Sequence, residues 1–110
     1  MRIDVQHGDP GPFTLFDGAV SGVSAVLGVV AAKAVTLFLT ATAGTTGGTG
    51  QLETSADPDF QGAWAPRGSP ITVVPGVTTI SESGLLAFIR IRITQPVANG
   101  TIAVRASCSF

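Results

Sequence analysis

Leu85-Leu86-Ala87-Phe88-Ile89-Arg90-Ile91-Arg92-Ile93-Thr94 decides the class of fold. Ile89, Ile91 and Ile93 fall on one side of an extended chain, and Phe88, Arg90 and Arg92 on the other. A period of two with β-branched residues is the signature of a half-buried strand. Residues 101–108 repeat the pattern, with Ile102, Val104 and Ala106 inward and Arg105 outward. Between them Asn99-Gly100 predicts a two-residue hairpin turn, because both residues tolerate positive φ.

Upstream, Val35, Leu37, Leu39 and Ala41 alternate with Thr36, Phe38, Thr40 and Thr42. Glycine-rich residues 44–50 read as a flexible hairpin tip leading to a return strand over 51–55. Residues 57–69 read as an irregular loop carrying Trp64. Two short strands, 71–74 and 77–80, flank Pro75-Gly76. Roughly seven to nine strands at this spacing imply an all-β chain, an antiparallel β-sandwich of jelly-roll or immunoglobulin-like type. Val35, Leu37, Leu39, Ile89, Ile91, Ile93, Ile102 and Val104 are its expected inward side chains.

The opening residues read differently. Arg2-Ile3-Asp4-Val5-Gln6 alternates, but Gly8-Asp9-Pro10-Gly11-Pro12 breaks any regular element. Residues 1–18 are therefore expected to form an arm, and 19–110 a single sandwich domain of common size. Phe13, Leu15 and Phe16 are its apolar tips, suited to pack on the body or to reach a neighbouring subunit or the shell.

Composition narrows the function. Of the 110 residues, 45% are apolar and only 12% charged, about half the usual charged share. Six basic and seven acidic residues leave no basic stripe for phosphates, so no nucleic-acid partner is expected. The apolar run over 19–32 is shorter than the ~20 residues a helix needs to cross a bilayer, and its glycines and valines suit strands. With no signal-like start, the chain is expected to be made in the cytoplasm and to have no membrane partner.

Chemistry-bearing side chains are scarce. His7 has no nearby metal-ligating companion, and the lone Cys108 forms no internal disulfide. Residues 44–50 lack the Lys-Ser/Thr pair of a phosphate loop. Asp57-Pro58-Asp59 offers two carboxylates to a hard cation, but an Asx-type turn explains them better. Asn99-Gly100-Thr101 matches a glycosylation sequon that the turn also explains. No enzyme activity, metal or cofactor is expected. Arg90 and Arg92 either pair across strands with Glu53, which is placed outward, or meet an acidic partner. Trp64 is either an anchor over the core or a stacking platform for sugars.

The order Leu52-Glu53-Thr54-Ser55-Ala56-Asp57, then Trp64, Ile71-Thr72-Val73, Phe88-Ile89-Arg90-Ile91-Arg92-Ile93 and Asn99-Gly100-Thr101-Ile102-Ala103-Val104 resembles small β-sandwich structural proteins of tailed bacteriophages. The resemblance spans roughly residues 20–108. Asp57-Pro58-Asp59 replaces the usual Asp-Gly turn, and Trp64 is displaced by a few residues. The resemblance implies a virion structural protein, a capsid decoration (cement) protein that is often a homotrimer and binds the major capsid protein on the outer head surface. The alternative it carries is a tail-fibre or head-fibre adhesion module that binds host glycans. Phe13, Leu15, Phe16, Trp64, Arg90 and Arg92 are the candidate partner-binding residues.

Overall fold

A computed structural model describes residues 2–57, 59 and 64–110. Its strands are β1 (Arg2–Asp4), β2 (Phe13–Ala19), β3 (Gly22–Val23), β4 (Val26–Gly28), β5 (Ala34–Ala41), β6 (Thr49–Ser55), β7 (Ala65–Thr72), β8 (Gly76–Ser83), β9 (Phe88–Gln95) and β10 (Ile102–Ser109). Helix is absent among the described residues. The strands form two packed sheets, a β-sandwich. One sheet runs β1-β4-β9-β6-β7, with β3 also on β9; the other runs β2-β10-β5-β8. All pairings are antiparallel except β1 with β4.

The alternation seen in the sequence sets the two inner faces. Ile89, Ile91 and Ile93 of β9 meet Val35, Leu37 and Leu39 of β5 and Ile102 and Val104 of β10 in one core, and all eight expected inward residues are buried. Within the run over 19–32, β3 and β4 form an interrupted strand along β9. Where β3 gives way to β4, the Ser24 hydroxyl accepts from the Ile91 amide at 2.9 Å and keeps the ladder satisfied.

Five expectations need correction. The arm over 1–18 is built into the sandwich instead: β1 extends one sheet and β2 is an edge of the other. Its Pro-Gly break is a turn docked on β10, where the Cys108 amide donates to the Pro10 carbonyl at 2.9 Å. Burying Val5 and Leu15 favours docking over projection into water.

Residues 44–50 are not a hairpin tip, because β5 and β6 lie in different sheets. They cross between the sheets through a corner in which the Thr45 hydroxyl donates to the Thr42 carbonyl at 2.7 Å. Asn99 does adopt positive φ, 60°, but it too turns the chain between sheets, from β9 to β10. Gly100 is needed there because a Cβ would collide with the Thr42 and Thr45 hydroxyls. The loop expected over 57–69 lies partly outside the described residues, and from Ala65 onward it is β7. The segments 71–74 and 77–80 likewise part company: β7 and β8 belong to opposite sheets and leave a seam between their edges.

Candidate functional site

The outer face of the β9-containing sheet gathers the polar residues the sequence singles out. Glu53 on β6 stands opposite Arg90 on β9. The Arg90 Nε donates to Glu53 Oε1 at 2.9 Å, and the Arg90 guanidinium carbon lies 4.3 Å from the centre of the Trp64 ring. Carboxylate, guanidinium and indole thus form one stack, combining a charge-assisted hydrogen bond with a cation–π contact. Glu53 is on the outer face, as expected, but its side chain is only 8% exposed. Arg92 stands at 3.9 Å from the other Glu53 oxygen and is 57% exposed.

This geometry separates the two uses considered for these residues. Trp64 is only 4% exposed and one ring face carries Arg90, so the indole offers no open platform for a sugar. Arg90 is committed to Glu53. The stack is architectural, tying β6 to β9 and anchoring the chain where it enters β7.

The apolar candidates are also consumed internally. Leu15 is buried, and Phe13 and Phe16 pack partly buried against the core from edge strand β2. Of the six candidate partner-binding residues, Arg92 alone reaches well into solvent. Asp57 and Asp59 form the expected Asx turn, with the Asp59 amide donating to Asp57 Oδ1 at 3.0 Å. No group of three or more His, Cys, Asp or Glu side chains that could hold a metal occurs among the described residues. His7 stacks at a tilt on Phe110 instead.

The opposite outer face holds what the sequence reading passed over. Register brings Arg105, Phe38 and Thr79 into one row and Ala103, Thr40 and Val77 into the next. Five of these six, Phe38, Thr40, Val77, Ala103 and Arg105, line a shallow groove of about 440 Å³ together with Pro12 and Ser107. Val77 is 63% exposed. Arg105 is exposed and makes no ion pair among the described residues. A lone guanidinium set among apolar side chains suits a carboxylate flanked by apolar groups. The signal was present in the outward alternation of Thr36, Phe38 and Thr40 and of Arg105. Which strands stand side by side, however, is a matter of topology.

No family model, no curated protein and no solved structure matches the chain.

Proposed function

We propose that this protein is a virion structural component of a tailed bacteriophage, a decoration protein that assembles with its own copies and binds the major capsid protein on the outer surface of the head shell. The observation that carries this reading is the outer face of the β2-β10-β5-β8 sheet. It presents an apolar groove with a single cation to whatever lies against it. Few charges must be desolvated when such a face is covered, and weak contacts repeated over many copies add up on a lattice. The sequence resemblance supplies the identity of the surface. The buried state of Trp64 counts against the glycan-binding adhesion module, which needs an open ring face.

The test is copy number and position in purified particles of the encoding phage, by quantitative protein analysis and electron microscopy. Many copies on the head, contacting the shell through Phe38, Val77 and Arg105, are expected. Arg105→Glu should leave the protein folded and abolish its co-sedimentation with heads. Absence from particles, or a few copies at a vertex or tail, would end the decoration reading.

A further inference from the structure

A sheet edge exposes a row of unpaired amides and carbonyls that can template another strand, and proteins blunt such edges with prolines, bulges, charges or brevity. Three of the four outer edges here are blunted. Strand β1 is three residues long and carries Arg2 and Asp4. Strand β7 holds Pro66 and Pro70, which lack amide donors, and slips register against β6. Strand β2 shifts register twice against β10 and contains Asp17 and Gly18.

Strand β8 has no proline, bulge or brevity, and its one charge, Glu82, is paired with Arg67. It pairs with β5 at eight consecutive positions without a shift, and its sequence, Gly-Val-Thr-Thr-Ile-Ser-Glu-Ser, has neither proline nor lysine. The direction of its free groups follows from one contact. The Ser83 carbonyl accepts from Arg67 Nη2 at 2.6 Å on the side away from β5. In an antiparallel ladder the amide and carbonyl of one residue point the same way and alternate along the strand. Val77, Thr79 and Ser81 therefore direct both groups outward too, and all three residues are exposed. No hydrogen bond to those backbone groups occurs among the described residues.

We infer that the β8 edge pairs antiparallel with β8 of a second copy about a two-fold axis through Thr79, joining two four-stranded sheets into one. Arg67 occupies Ser83 at one end and Pro75 lacks a donor at the other, so the open stretch is 77–81, which is symmetric about Thr79. In that register Val77 meets Ser81 of the second copy, and Thr79 meets its counterpart, a favourable cross-strand pair. On the inner side Ile80 meets Thr78 of the second copy. Both residues line the 310 Å³ seam between β7 and β8, which the pairing covers. Glu82, the one charge on the strand, is held by Arg67 at 3.4 Å and falls opposite Gly76, far from its own copy. The occupant is a second copy because the open stretch is self-complementary in length, hydrogen bonding and charge. The groove bordered by Val77 then continues from one copy toward the other. This inference is independent of the shell reading, and it sets a two-fold in place of the three-fold that the resemblance implies.

The test is the mass of the full chain in solution by sedimentation equilibrium over a wide concentration range. The expected species is a dimer, twice the 11.1 kDa chain mass. Thr79→Pro removes an outward amide and no β5 bond, and Thr79→Lys places two ammonium groups face to face at the axis. Each should weaken dimerisation at least ~10-fold, while the circular dichroism of the sandwich persists. Should the proline variant fail to fold, the exposed lysine variant still decides. A monomer or trimer at all concentrations, open-ended polymers, or a dimer unmoved by Thr79→Lys would each overturn the inference. Head binding that survives in a monomeric Thr79→Lys protein would leave the decoration reading standing apart from it.

Discussion

Replacing Glu53 with alanine tests whether the stack with Arg90 and Trp64 holds the molecule together. The pair is intermediate between the two well-measured limits. Breaking a fully buried ion pair costs about 3–5 kcal/mol, because the remaining charge is stranded. An exposed pair contributes about 0–1 kcal/mol. Glu53 is 8% exposed but Arg90 is 21% exposed, so the orphaned guanidinium recovers part of its hydration. The loss should therefore be about 2–3 kcal/mol, the range of a hydrogen bond to a charged group plus a partial desolvation penalty. For a domain of this size that lowers Tm by roughly 8–12 °C. Glu53→Gln keeps an acceptor and loses only charge assistance, about 1 kcal/mol. Glu82→Ala, which breaks the more exposed pair with Arg67, should cost no more than about 0.5 kcal/mol. Urea unfolding followed by circular dichroism and by the fluorescence of Trp64, the single tryptophan, measures all three. High salt should erase the Glu82 effect and spare most of the Glu53 effect. A Glu53→Ala cost below about 1 kcal/mol, or one equal to that of Glu82→Ala, would refute the assignment of the stack as structural.

Deleting residues 1–18 should leave a chain without cooperative unfolding. The deletion removes β1 and most of β2 and uncovers the core at Val5 and Leu15, which contribute about 1.5–3 kcal/mol each; a folded truncation would restore the arm reading. Burial, and then the Asp9 carboxylate, raise the Cys108 thiol above its ordinary 9.0. The native protein should react slowly with thiol reagents at pH 8 and rapidly once unfolded. Because the folded state favours the neutral thiol, that stabilisation is complete below the unfolded value and is lost as pH rises through the raised one, which a falling urea midpoint in alkali would record.

The sequence disclosed the faces and not the neighbours. Alternation along 35–41, 89–93 and 102–106 identified the buried side chains because burial acts residue by residue on a pleated strand. It also placed Glu53 outward beside Arg90 as a possible pair. What it withheld depends on long-range pairing. Asn99-Gly100 has the local chemistry of a hairpin turn, yet the same positive φ serves a corner between sheets. Gly48, at φ 95°, and its glycine neighbours looked like a loose tip, although Thr45 and Thr46 tie that segment to Thr42 and Ala98. Phe13 and Phe16 looked like free tips because a Pro-Gly break hides the strand that follows it. The burial of Trp64 was invisible for the same reason: nothing local to position 64 announces that Arg90 will lie on its ring.

The placement of β10 has a consequence for how the molecule comes into being. It lies between β2 and β5, so the sheet it belongs to has no interior until residues 102–109 arrive. Among the described strands, only β6 and β7 are neighbours both along the chain and within a sheet. Every other ladder waits for segments distant in sequence to meet, which puts refolding on the slow scale of all-β domains, about milliseconds to seconds. During synthesis β5 can pair with β8, but β2 and the other edge of β5 emerge with no strand between them to join. The nascent chain therefore passes through an interval in which other copies compete with its own last strand for those edges.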